Sequence, residues 1–162
     1  MSVLPIRFAP DPALRQKARR VRNMDDSIER LIEDMLETMR AVFGGGLAAP
    51  QVGVPLRVIV IELPEEETIV LINPEIVKRS GERIVEEACL SIPGYKGEIK
   101  RSASVTVKGR DRGWRELRLK ATDLLAQALE HEIDHLNGML YIDHLESPDK
   151  LYEIEPEEEP GL

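Results

Sequence analysis

The stretch Thr122-Asp-Leu-Leu-Ala-Gln-Ala-Leu-Glu-His131-Glu132-Ile133-Asp134-His135-Leu136 decides how the rest of the chain is read. It predicts one helix, stopped by Asn137-Gly138, a C-cap signal. A helical turn takes about 3.6 residues, so His131 and His135 leave the same face and both imidazoles can reach one tetrahedral metal ion. Glu132 sits one position on, placed to handle a proton on the metal's water. Leu124, Leu125, Ala128, Leu129 and Leu136 supply an apolar flank, so the helix is expected to be buried. Two unpaired imidazoles and a carboxylate in a core would be costly, and a metal removes that cost. A solvated helix with two casual histidines fits such a flank poorly.

Two nitrogens do not complete a catalytic site, which has three protein ligands and one open position. His144 follows Asn137-Gly138, where the chain turns, and Asp143 and Glu146 are generic carboxylates. Cys89, the one cysteine of the chain, is the remaining good donor. Two nitrogens and a thiolate suit a first-row divalent metal. The other reading of Cys89 is a small buried hydrophobe. No intrachain disulfide can form.

Working outward, Ile28, Leu31, Ile32, Met35, Leu36 and Met39 repeat at three and four, predicting a helix from Ser27 to Val42. Asp26 with Glu29 resembles a capping box, and Gly44-Gly45-Gly46 stops the helix. Leu56–Ile61 and Thr68–Ile72 read as strands, with Pro64 and Glu65-Glu66-Glu67 between them. Glu75–Val77 and Arg83–Glu86 read as short strands, and Leu140–Ile142 as a brief one. Ser102–Lys108 and Trp114–Leu119 alternate, joined over Asp111-Arg112-Gly113 as a hairpin. The order of helix, several strands and helix predicts an α+β fold, with largely antiparallel sheets around a central metal-binding helix. Residues 1–150 are expected to form one catalytic domain, and residues 151–162 an acidic, disordered tail.

The chain has 162 residues, enough for one domain with a real core. Its net charge of −8 argues against an electrostatic grip on nucleic acid or an anionic membrane. The basic cluster from Arg15 to Arg22 reads as a solvated patch. No apolar run approaches the roughly 20 residues that span a bilayer. The first residues lack the pattern of a signal peptide. A cytoplasmic location is expected.

Three blocks stand in order: Gly44-Gly45-Gly46-Leu47-Ala48-Ala49-Pro50-Gln51, then Glu87-Ala88-Cys89-Leu90-Ser91, then His131-Glu132-Ile133-Asp134-His135. Together with Asn73-Pro74, Pro93-Gly94, Arg101 and His135-Leu136-Asn137-Gly138, they resemble the peptide deformylase family over about residues 5 to 145. The resemblance implies removal of the formyl group from formyl-methionyl nascent polypeptides, with release of formate. It implies one divalent ion, Fe2+ in the cell with Zn2+, Ni2+ or Co2+ as replacements, held by Cys89, His131 and His135. Glu132 would be the catalytic acid–base, and Gln51 and the backbone N–H of Leu90 would hold the oxyanion. Gly46 and its neighbours would pair with the peptide backbone, and Arg101 would support Glu87. Val85, Leu124 and Ala128 are candidates for the methionine pocket, with plain packing as the alternative, and Glu87 and Ala88 flank the substrate.

Three positions depart from the family pattern. Ala88 stands for a glycine; it is harmless at negative φ and would cost about 1–2 kcal/mol at positive φ. Glu130 stands for a glutamine and is expected to point away from the ligand face. Asp123 stands for a common glycine, and an aspartate suits a helix N-terminus. The acidic tail would be repelled by ribosomal RNA. The expected partners are therefore nascent peptides, with transient ribosome contact, no stable nucleic-acid binding, no membrane, and a monomeric chain. Two rival readings remain: a general zinc protease, and a metal-binding homologue that has lost catalysis.

Overall fold

The computed structural model describes residues 2–154. Helix α1 spans Asp26–Ala41 and buries the face set by Ile28, Leu31, Ile32, Met35, Leu36 and Met39. Its N-cap is Asp25, whose side chain accepts from the Ile28 N–H at 3.0 Å. The Asp26–Glu29 box therefore gives way to the residue before it; such a cap contributes about 1 kcal/mol. The chain then runs through β1 (Gly46–Ala48), β2 (Val58–Ile61), β3 (Ile69–Ser80), β4 (Arg83–Cys89), β5 (Ile92–Arg101), β6 (Ser104–Arg110), β7 (Glu116–Thr122), helix α2 (Asp123–Leu136) and β8 (Leu151–Glu153).

The strands form two antiparallel sheets, one ordered β1-β2-β3-β6-β7 and the other β4-β5-β8. Both faces of the larger sheet are covered, which is why β2 is apolar at every position. Val58 and Val60 pack with Ile32, Met35 and Met39 of α1, whereas Ile59 and Ile61 pack with Ala128, Leu129 and Ile133 of α2. Helix α2 thus lies on the larger sheet and turns its other side to β4, in keeping with the expected α+β arrangement.

Several elements differ from expectation. β3 runs on through Asn73-Pro74 with a register shift between Ile72 and Glu75, where proline has no N–H to give the ladder. It absorbs the expected short strand at Glu75–Val77. β5 was hidden by Pro93, Gly94 and Gly97. Trp114 lies in the β6–β7 turn with φ of 67°, ahead of the strand rather than in it. The Asp111 side chain builds that turn by accepting from the Gly113 and Arg115 N–H groups, both at 2.9 Å. Leu140–Ile142 is not a strand; a 3-10 turn spans Tyr141–His144. The expected disordered tail begins too early, because Leu151–Glu153 pairs with Tyr95–Gly97 and covers the edge of β5. Residues 155–162 lie outside the described residues.

Candidate active site

Helix α2 starts after Thr122, and Asp123 adopts φ of 53°. That left-handed backbone explains why a glycine suits the position better than a helix-dipole argument does. At the other end Gly138 has φ of 75°, and a Cβ there would fall 2.7 Å from the Arg15 carbonyl oxygen. Between these ends, the ten residues from Asp123 to Glu132 carry the chain from surface to core: Leu124 is 47% exposed and Glu132 is fully buried.

The structure brings Cys89, His131 and His135 together, all buried, with one ligand atom from each lying within 4.8 Å of the others. Cys89 ends β4, next to a register shift after Glu87, and pairs with Ile92 across a tight turn. Its Sγ lies 3.3 Å from His135 Nε2, which lies 3.3 Å from His131 Nε2. A tetrahedral ion with metal–nitrogen bonds near 2.0–2.1 Å holds two imidazole nitrogens about 3.3–3.4 Å apart. The spacing and the donor set both fit a divalent metal ion.

The ligand face is braced from behind. His131 Nδ1 meets Glu87 Oε1, leaving Nε2 toward the cluster. Glu87 also accepts from Arg101 Nε at 2.9 Å and from its second terminal nitrogen. Arg101 reaches Asp134 at 2.8 Å, and Asp134 in turn contacts His144 Nε2 at 2.9 Å. Burial alone would raise the Glu87 carboxyl; His131 and Arg101 overcome it and hold the group at about 2. Burial would lower His131, but the charges of Glu87 and Cys89 raise it well above 6.5. His135, buried beside that charge, is pushed well below 6.5. The expected Arg101–Glu87 support is present. Glu87 as a substrate contact is not, because its side chain is wholly enclosed by these partners. His144 stands outside the ligand cluster.

Glu132 is the outlier. Both its carboxylate oxygens are buried and find no hydrogen-bond partner among the described residues. Burial pushes the carboxyl up to about 7 against the opposing pull of His131. It abuts Gly46, where a Cβ would fall 2.5 Å from Glu132 Oε2. Gly46 opens β1, the outer strand of its sheet.

Gln51 is fully buried and its amide is oriented: Oε1 accepts from the Ala48 N–H at 2.9 Å, and Nε2 donates to Ser91 Oγ at 3.1 Å. The same Nε2 lies 3.7 Å from Cys89 Sγ. Leu90 follows Cys89 in the turn and packs toward Gly44. Among the pocket candidates, Val85 packs against the small cluster of Cys89, Ile99 and Tyr141. Ala128 is fully buried in the main core, so packing accounts for it. Ala88 is not among the described residues with positive φ, so its side chain imposes no backbone strain. Glu130 does point away from the ligands, to the Ser102 N–H at 2.7 Å and to Arg79 at 3.2 Å.

Sequence reasoning missed Ser91, Gln127 and Tyr141. Ser91 orients Gln51, Gln127 Nε2 donates to the Glu86 carbonyl at 3.1 Å, and the Tyr141 ring stacks 6.4 Å from His131. Ser91 was within reach, since it stands in the same block as Cys89; the other two carry no local signal.

Fold and site define a metal-dependent hydrolase built on an H-E-x-x-H helix with a cysteine from a neighbouring sheet. A polypeptide deformylase profile matches residues 3–151. The chain belongs to that family. It is 56% identical over 160 residues to a peptide deformylase of Dehalococcoides mccartyi strain CBDB1, covering 98% of this chain and 96% of that one. A peptide deformylase of Thermomicrobium roseum is 47% identical, covering 98% and 95%. Among solved structures, a peptide deformylase from Legionella pneumophila matches with TM-score 0.88 and 46% identity, over 92% of this chain and 89% of that one. One from Ehrlichia chaffeensis, in complex with actinonin, matches with TM-score 0.89 and 40% identity, over 93% and 92%.

Proposed function

We propose that this chain hydrolyses the formyl amide at the amino terminus of formyl-methionyl polypeptides, releasing formate, with Cys89, His131 and His135 as metal ligands and Fe2+ as the ion in the cell. The observation that carries the reading is Glu132: a fully buried carboxylate with no hydrogen-bond partner among the described residues, beside three metal-type donors. Left idle, such a group would only destabilise the fold.

A divalent ion in this site supplies a water of lowered pKa and a Lewis acid for the carbonyl oxygen. Glu132 accepts the proton of the attacking water and returns it to the departing amine nitrogen. Burial pushes this carboxyl up and a bound cation would draw it back down, so it can both take up and give back a proton. Gln51 Nε2, fixed by Ala48 and Ser91, donates to the oxygen on which negative charge grows, and the Leu90 N–H is the second donor. Gly46 lets substrate backbone and the Glu132 carboxylate approach each other, and the peptide extends along the free edge of β1 by strand-like pairing. Val85 and Leu124 border the methionine side chain, and Ala88 offers its backbone carbonyl. Glu87 and Arg101 position His131 and do not touch substrate. The chain acts as a monomer in the cytoplasm and meets the ribosome only in passing.

The test is formate release from a formyl-Met tripeptide by protein loaded anaerobically with iron or nickel, with Glu132→Ala as the matched control. Turnover that disappears in the variant while metal is retained supports the assignment. No turnover by loaded wild type would move the reading to a metal-binding protein without catalysis.

A further inference from the structure

The Arg15–Arg22 cluster is solvent-exposed, as expected, and three of its arginines face one concavity. Arg19, Arg20 and Arg22 join Arg110 around a cleft of about 810 Å3, with Asn73 and Trp114 among its walls. It shares no residue with the metal site. All three N-terminal arginines are exposed, and none of their side chains has a hydrogen-bond, ion-pair or ring partner among the described residues. Arg110 donates to the Trp114 carbonyl at 2.7 Å, lies 4.6 Å from that ring's centroid, and reaches Glu116 only at 3.5 Å. An adjoining cleft of about 400 Å3 adds Lys17 and Arg57. Arg57 is pushed down by burial and by the charge of Arg20, against the opposing pull of Glu75. The acids at the margin are Glu75 and Glu116.

The backbone carrying these charges is pinned. Arg19 forms a parallel bridge with Leu56, donating to the Pro55 carbonyl and accepting from the Arg57 N–H, both at 2.9 Å. Val21 is clasped by the Asn73 side chain through two bonds of 2.8 Å, and Asn73 holds φ of 54° to make them. Arginines carried on a pinned backbone around a concavity suit phosphate groups, whose oxygens their guanidinium forks can bind in pairs. In a chain of net charge −8, the local field is opposite to the overall one.

We propose that this cleft binds the phosphodiester backbone of a single-stranded nucleic acid, without selecting bases. Net charge describes the whole molecule at a distance; contact is governed by the groups lining the cleft. A membrane surface is a poorer match, since the apolar residues here are recessed: Val21 is buried, and Leu56 and Trp114 are half-buried.

The test is fluorescence anisotropy of a labelled short oligouridylate titrated with the metal-loaded full chain across a salt series. Four phosphate contacts on a single strand predict a log–log salt slope of about −3. Arg20→Glu with Arg22→Glu should weaken binding about tenfold or more at low salt, with Tm and deformylation unchanged. The neutral pair Arg20→Gln with Arg22→Gln should fall between, which separates charge from any folding defect. Lys100→Glu, on β5 of the other sheet, should leave binding as it was. Oligothymidylate should bind like oligouridylate. The proposal is overturned if wild type binds neither strand at low salt, or if the double reversal binds undiminished. It is equally overturned if millimolar inorganic phosphate displaces the strand as completely as unlabelled oligomer, or if phosphatidylglycerol vesicles are bound and the oligomers are not.

Discussion

Glu87→Gln keeps the shape of the brace behind His131 and removes its charge. In the metal-free fold the Glu87 carboxyl is held at about 2, against its ordinary 4.5. A pH unit is worth about 1.4 kcal/mol, so the ionised carboxylate contributes about 3 kcal/mol at neutral pH. The same interaction raises Arg101, and it is counted once. Because the folded pKa is lowered, this stability is present above about pH 4.5 and is lost as pH falls toward about 2. The variant lacks it at every pH. Urea denaturation of both metal-free proteins should therefore differ by about 3 kcal/mol at neutral pH and converge in acid. The glutamine oxygen can still accept from His131 Nδ1, so the ligands stay in place while metal affinity falls about 10- to 100-fold. A loss under about 1 kcal/mol at neutral pH, or a difference that does not shrink toward about pH 3, would refute the reasoning.

Other outcomes follow from the same site. Gly46→Ala places a Cβ 2.5 Å from Glu132 Oε2 and must displace that carboxylate; kcat should drop about tenfold or more with metal content unchanged by elemental analysis. Glu132→Gln should abolish turnover yet stabilise the metal-free protein. The raised carboxyl pKa means that stability declines as pH climbs from 4.5 through about 7, so the gain in chemical denaturation above neutrality should reach up to about 3 kcal/mol. Metal loading should release protons, because His131 is held protonated well above 6.5 without an ion; affinity should rise about tenfold per pH unit for each proton released. Calorimetry in buffers of different ionisation enthalpy reads that number directly.

The helices were legible because each writes its burial into a repeat of three and four. The histidine pair, the glutamate and the lone cysteine were legible because few other residues can do their chemistry. β5 was not, since Pro93, Gly94 and Gly97 are ordinary breakers. In the fold Gly97 leaves room for close packing: a Cβ there would sit 3.0 Å from the side chains of both Tyr141 and Leu145. β8 was hidden inside an acidic tail because its pairing depends on an edge more than fifty residues upstream. Gln127 and Tyr141 act on the site across distances that no local pattern encodes. Glu130 points away from the ligand face as expected, but no local pattern marks it as buried and satisfied by Ser102.

Cys89 and the two histidines arrive from different halves of the molecule, the thiol from the three-stranded sheet and the imidazoles from the helix seated on the five-stranded one. An ion held by all three is therefore a rivet across the seam as well as a reagent. Removing it with a chelator should let the halves part more often and expose the seam to proteases. The lifetime of the chain, and not only its activity, would then follow the supply of metal.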